Sequence, residues 1–289
     1  MKFKNLVVGV SGGKDSTAVC LHLIHNLGYA PEEFDRSFLD TGWEDKSTYQ
    51  YLDYLETKIG KIKRLKANIL IKKHHNHIRY FEKKLGYESP MIRLMFEYEN
   101  FPRSFVRWCT RKLKIEPLKK YYDTLDFDPT NVVGIRKEES QARKKLSEHD
   151  WSDFLDCNVW RPIINWKENQ VIEIHKKHQV EPNPLYLQGS DRVGCYPCIN
   201  SNKKEIRKLT KERIELIHEI ETRINKIRKE KGKEAAGFFK TTDRNKTLIH
   251  DVVDWSKTAR GGKQYLLFDT HEPSCVKWGM CDFHKISKS

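Results

Sequence analysis

Near the start of the chain, Leu6-Val7-Val8-Gly9-Val10 is an unbroken apolar, β-branched run, the pattern of a strand buried on both faces of a parallel sheet. Ser11-Gly12-Gly13-Lys14-Asp15-Ser16 follows at once, and Thr17 to Leu27 then reads as a helix that Gly28 can end in a left-handed conformation. Ser37-Phe38-Leu39 predicts a second strand ending at Asp40-Thr41-Gly42, and Ser47 to Ile59 a second helix stopped by Gly60. Asn68 to Ile71 and Asn131 to Ile135 are further short apolar runs separated by helical stretches. The pattern predicts an α/β fold with an open, doubly wound, mostly parallel sheet, whose ligands bind at the carboxyl ends of the strands. Around Pro182 to Pro197 the periodicity gives way to prolines, glycines and cysteines, which divides the chain into an α/β domain over 1–190 and a helical, cysteine-bearing extension over 191–289. Within the extension, Ile206, Leu209, Ile217, Ile220, Ile224 and Ile227 recur at helical spacing and predict one long basic helix from Lys203 to Lys233.

Composition narrows the class. With 38% hydrophobic and 33% charged residues among 289, the chain suits a folded domain with a heavily charged surface. No run has the length of a signal-peptide core or a membrane helix, so a cytoplasmic protein with no membrane partner is expected. A net charge of +14 draws the chain toward polyanions such as nucleic acid or nucleotide phosphates, with simple solubility as the alternative reading. Seven cysteines, an odd number, favour metal or redox chemistry over disulfides. His74, His75 and His77 crowd together, but Lys72, Lys73 and Arg79 beside them repel a cation, and a surface cluster is the better account.

The glycine loop carries the sharpest chemistry. Gly12 and Gly13 let the backbone approach an anion closely, and the helix behind them offers free N–H groups and a positive dipole end. Lys14 adds a cation and Ser11 and Ser16 add hydroxyls, while Asp15 can orient the loop or a magnesium ion. The buried strand before the loop and the helix after it supply the context that a bare Gly-Gly turn lacks. Cys195-Tyr-Pro-Cys198 and the later Cys275 and Cys281 form two thiol pairs, which suit zinc or an iron–sulfur cluster equally by spacing. Cys20, within the first helix, and Cys157, beside a predicted strand, read as structural.

Ser-Gly-Gly-Lys-Asp-Ser resembles the pyrophosphate loop of the ATP pyrophosphatase (PP-loop) superfamily, whose adenine nucleotide alpha hydrolase-like fold is therefore expected. Within it the chain resembles the phosphoadenylylsulfate (PAPS) reductase group. Phe38 to Glu44 is similar to the group's Asp-Thr-Gly segment, with Thr48-Tyr49 following. Arg107-Trp108-Cys109-Thr110-Arg111-Lys112 with Glu116-Pro117 is similar to its cysteine motif before a Lys-x-x-Pro helix. Gly134-Ile135-Arg136 with Arg143 is similar to its Gly-Ile-Arg motif, and Arg161-Pro162-Ile163 to the next strand.

The resemblance implies that Ser11 to Ser16 hold phosphates while Asp40, Thr41, Gly42, Gly134, Ile135 and Arg136 surround the nucleoside, with Arg136 and Arg143 facing phosphate or sulfate. It places Lys14, Asp15, Cys109 and Arg136 at the reaction. It also implies a 4Fe-4S cluster rather than zinc. Adenylylsulfate reductases carry a cysteine pair where Thr110 follows Cys109 here. Either Cys109, Cys195 and Cys198 then need a fourth ligand, or Cys195, Cys198, Cys275 and Cys281 form the set, which is the reading preferred.

The expected function is cleavage of ATP with magnesium to adenylate an acceptor, nucleic acid among the candidates. Pyrophosphate would be released and a sulfur donor such as a cysteine desulfurase would follow, as in DNA phosphorothioation systems. The alternatives are a sulfonucleotide reductase using Cys281 as nucleophile and a non-catalytic nucleotide sensor of a defence complex.

Overall fold

The structure is a computed structural model and describes residues 3–239, 248–259 and Trp278. Strands β1 (Leu6–Gly9), β2 (Phe34–Asp40), β3 (Lys63–Lys66), β4 (Thr130–Val132), β5 (His149–Ser152) and β6 (Cys157–Trp160) form one sheet in the order β3-β2-β1-β4-β6-β5. Every pairing is parallel except that of β5 with β6. The predicted doubly wound, mostly parallel α/β fold is therefore present. Leu6 and Val8 pack on one side with Val19, Leu52 and Leu55, while Val7 packs on the other with Leu118 and Tyr121. Burial on both faces explains why β1 has no polar alternation.

The chain passes outward from β1 through helix α1 (Lys14–Leu21) to β2, and through α2 (Lys46–Ile59) to β3. It then returns across the sheet to lay β4 beside β1. The crevice at this reversal opens between the carboxyl ends of β1 and β4, where an open α/β sheet places its ligand. Asp45 caps α2 by accepting from the Ser47 amide at 2.8 Å, and Gly60 ends it at φ +89°. Thr48, Tyr51, Leu52, Leu55 and Ile59 form its buried stripe.

Several boundaries differ from the sequence expectation. The third strand is Lys63–Lys66, whereas residues 68–71 lie in no strand, because an edge strand paired on one side tolerates the charges that an apolar criterion rejects. The first helix starts at Lys14 and closes with a π-turn, His22–Asn26. Arg161 to Ile163 follow β6 instead of forming it. The predicted helix over Lys203 to Lys233 is two, Lys203–Arg207 and Lys211–Glu230, because Thr210 leaves the helical conformation and caps the second by accepting from the Arg213 amide at 3.2 Å.

Helices α3 (His75–Leu85) and α4 (Pro90–Tyr98) bury Ile78, Phe81 and Met95 against Ile217, Ile220 and Ile224 of the helix Lys211–Glu230, so residues on both sides of position 190 share one apolar cluster. Glu99, just past α4 and 2% exposed, clasps these parts together. Its carboxylate meets Lys73 at 3.3 Å, His74 at 3.0 Å and Lys233 at 3.4 Å, and also Lys231. The histidine cluster is thus partly engaged: His74 binds Glu99 and His77 stacks on Phe96. No helix among the described residues is long and apolar enough to cross a membrane.

Candidate active site

The glycine loop joins the end of β1 to the start of α1. Gly12 sits at φ +72°, a conformation that favours glycine. Hydroxyls hold the loop in shape. The Ser16 Oγ accepts from the Ser11 amide at 3.1 Å and donates to the Gly13 carbonyl at 3.0 Å, and the Ser11 Oγ accepts from the Gly13 amide at 3.3 Å. Two side chains from a later segment complete it: the Tyr186 hydroxyl accepts from the Lys14 amide at 3.0 Å, and Asn183 donates to the Gly12 carbonyl at 3.2 Å. Neither residue was singled out in the sequence, where Asn183-Pro184 reads only as a break in periodicity. The signal available was a buried-type tyrosine two residues after an Asn-Pro cap, which is weak without contacts.

Cations around the loop are matched by carboxylates. The Lys14 ammonium lies 3.5 Å from Glu168, 3.8 Å from Asp15 and 3.2 Å from the Asp191 carbonyl. Arg136 reaches Asp15 and Glu138, each at 2.5 Å, and Arg143 pairs with Glu139. Burial alone would lower the Arg136 pKa, but the charge of Asp15 and its hydrogen bond win and raise it. The end of β4 presses against the loop so closely that a Cβ on Gly134 would stand 2.8 Å from the Asp15 carbonyl and the Ser16 amide.

A cavity of about 630 Å³ opens here. Ser11, Gly13, Asp15, Ser16, Gly134 and Ile135 line one side and Arg143 its rim, while Cys195 and Cys198 line the other. Gly12, Lys14, Asp40, Thr41, Gly42, Cys109 and Arg136 are not among the residues that line it. Asp40, at the end of β2, is occupied in accepting from the Gly42 amide and the Tyr49 hydroxyl, both at 2.8 Å. Gly42, at φ +64°, lies where a Cβ would meet the Ser89 Cα at 2.7 Å.

The cysteine loop is stitched to the end of β2. Glu44 and Cys195 form a β-bridge, the Tyr196 amide donates to the Trp43 carbonyl at 2.8 Å, and the Trp43 indole donates to the Pro197 carbonyl at 3.1 Å. The buried Glu44 carboxylate accepts from Thr41 at 2.7 Å and lies 3.9 Å from the Cys195 sulfur. Burial pushes the Cys195 thiol up to about 11, against the pull of Lys114. Cys109 is also raised, first by burial and then by the charge of Cys198. Lys114 is raised, chiefly by Cys195, with Glu44, Cys198 and Cys109 adding to it. The sequence contained Lys114 within the Lys-x-x-Pro pattern but gave it no role. Cys20 and Cys157 are buried away from this group.

Cys275 and Cys281 lie outside the described residues. Trp278, three residues from each, is buried against Tyr186, ring centroids 6.0 Å apart, and edge-on to His175 at 5.4 Å. Burial lowers the His175 pKa to about 4, so the imidazole beneath Trp278 is neutral near pH 7. Among the described residues no group of three His, Cys, Asp or Glu could hold a metal ion.

The phosphoadenosine phosphosulfate reductase domain model matches residues 5–201. An uncharacterized 37.8 kDa protein of Escherichia phage 186 is 30% identical, with 96% of each chain covered. The adenosine 5'-phosphosulfate reductase of Allochromatium vinosum is 28% identical over 55% of this chain and 56% of its own length. Among solved structures, a phosphoadenylyl-sulfate reductase from Candida auris in a phosphate complex aligns with TM-score 0.48 at 20% identity, covering 68% of this chain and 84% of that one. The match thus spans the phage protein almost fully but little more than half of the Allochromatium reductase.

Proposed function

Because the chain belongs to the phosphoadenosine phosphosulfate reductase domain family, we propose that it is an ATP pyrophosphatase that adenylates an acceptor for sulfur transfer. One observation carries this reading: the glycine loop and a pair of thiols line the same cavity. An acceptor oxygen attacks the α-phosphorus of ATP, the bond to the β-phosphate bridge breaks, and pyrophosphate leaves. A sulfur nucleophile then displaces AMP from the atom that bore the oxygen. The protein's contribution is positioning and charge compensation. The amides of Gly13 and Lys14, giving up their hydroxyl partners, and the Lys14 ammonium meet the phosphates, which displace Glu168 as the partner of the ammonium. In this reading Arg136, held by Asp15, meets charge developing at the α-phosphate. Magnesium enters as part of MgATP.

An iron–sulfur cluster suits the soft thiols of Cys195 and Cys198, which line the cavity together and are free of disulfides. Cys195 and Cys198 would hold it, with the remaining ligands drawn from Cys109, Cys275 and Cys281. When bound, such a cluster supplies a soft, polarizable anchor for the sulfur in transit. The basic surface suits a polyanionic acceptor, and a desulfurase-type protein suits the donor.

The second reading, a sulfonucleotide reductase, is favoured by the similarity to the Allochromatium enzyme. Protein reconstituted anaerobically with iron and sulfide is expected to release pyrophosphate from MgATP and no sulfite from adenosine 5'-phosphosulfate with a thiol. Sulfite without pyrophosphate would overturn the first reading in favour of the second.

A further inference from the structure

Tyr186 holds the glycine loop from outside it. Its hydroxyl accepts from the Lys14 amide at 3.0 Å, and the Lys14 ammonium lies 5.0 Å from the centre of its ring. That amide belongs to the first turn of α1, where N–H groups have no partner within the helix and an anion's oxygen is a natural acceptor. The phenol hydroxyl therefore stands where a phosphate oxygen would bind. A Cβ on Gly13 would meet the same hydroxyl at 3.3 Å, so it sits against the loop backbone. The element that carries Tyr186, Pro184–Leu187, is a single helical turn, too short to fix a large ring unaided. Trp278 supplies the support. It is 4% exposed, its ring centroid is 6.0 Å from that of Tyr186, and it shares an apolar cluster with Tyr186, Ile172 and Val193. His175 meets Trp278 edge-on at 5.4 Å and donates from Nδ1 to the Val171 carbonyl at 2.7 Å, which ties this seat to the helix Glu168–Lys177.

We propose that Trp278 is a positioning residue: it wedges the Tyr186 ring so that the hydroxyl competes with phosphate for the Lys14 amide, and the aromatic pair thereby sets the nucleotide affinity of the loop. Resting on the nucleotide reading above, this gives the phosphate site a built-in rival. Apparent affinity is reduced to the fraction of molecules in which the hydroxyl has left the amide. The coupling is reciprocal, so a phosphate oxygen that displaces the hydroxyl also loosens the seat of Trp278. Aromatic pairs hold preferred angles over a large buried surface, which makes one ring an effective wedge for another.

The test combines calorimetric titration and amide hydrogen exchange on the full-length protein, with inorganic pyrophosphate and MgATP as probes. Tyr186→Phe keeps the ring and removes the rival, and should bind pyrophosphate about tenfold tighter. Trp278→Ala should bind it at least about threefold tighter, Trp278→Phe should stay within about twofold of the parent, and Trp278→Ala should add nothing in the Tyr186→Phe background. Exchange of the Lys14 amide should quicken in Trp278→Ala, while the Ser11 amide, held by the Ser16 hydroxyl, keeps its rate. A role in packing alone predicts weaker binding with both amides faster. Weaker pyrophosphate binding to Tyr186→Phe, or a Lys14 rate that Trp278→Ala leaves unchanged, would overturn the wedge. Pyrophosphate binding that follows the expected pattern without MgATP binding keeps the wedge and removes the ATP reading, and MgATP binding that Tyr186→Phe weakens does the reverse. Binding of neither probe to the parent overturns both.

Discussion

At the scale of single residues, the site is a set of close approaches that fix which side chains are tolerated. Gly134 is the tightest. A methyl there would sit inside van der Waals contact with the backbone of Asp15 and Ser16. Gly134→Ala is therefore expected to displace the loop, lower nucleotide affinity at least about tenfold by calorimetric titration, and cost roughly 1–3 kcal/mol of stability. Gly194→Ala is the control, because nothing lies within 4 Å of a Cβ there and its φ is not positive. Its melting temperature should stay near the parent, which separates the clash at Gly134 from the mere addition of a methyl group. The loop itself was legible in the sequence because its chemistry is local. Tyr186, Asn183 and Lys114 were not, because their roles arise from contacts 172, 171 and 81 positions away and nothing near them in the chain announces it.

Among secondary-structure elements, the helix Lys211–Glu230 is held to α3 and α4 by an apolar face and by the ionic clasp on Glu99. Burial would raise this carboxyl, but hydrogen bonds from Lys231, His74 and Lys73 outweigh burial and hold it far below the ordinary glutamate range. A depressed folded-state pKa stabilises fully above the ordinary range and loses its effect as pH falls below that range toward the folded value. Glu99→Gln should therefore lower stability by about 1–2 kcal/mol at pH 7, a figure discounted because the lysines are about half exposed. The gap between parent and variant in thermal melts should narrow progressively as pH falls below the ordinary glutamate range. A gap independent of pH would refute the clasp. Elements with a buried stripe, such as α2 and β1, could be read from periodicity. The edge strand Lys63–Lys66 could not, because pairing to β2 rather than side-chain burial makes it a strand, and the apolar spacing across 206–227 hid a break that one threonine cap imposes.

Across the whole molecule, the cavity borrows its walls from the sheet and from the cysteine loop, so ligand binding should stabilise both together. MgATP at about one hundred times its dissociation constant is expected to add roughly 2.7 kcal/mol and to raise a single melting transition, read by calorimetry. Two separate transitions, with only one shifted, would show that the parts melt independently. The α/β class was visible in the sequence because a buried apolar strand, a glycine loop and a helix follow one another at the start of the chain, whereas the strand order was not. The joining of the cysteine loop to β2 was not, because the Glu44–Cys195 bridge links segments with no shared pattern. One feature of the glycine loop reaches further than its shape. Its amides at Gly13 and Lys14 are bonded to the hydroxyls of Ser11 and Tyr186, so the loop is held in shape by its own side chains and a later segment. On the proposed reading, a phosphate oxygen arriving there would trade places with a hydroxyl instead of ordering a slack chain. Affinity would then be spared the entropy of loop closure, and recognition would become an exchange of partners within a standing scaffold.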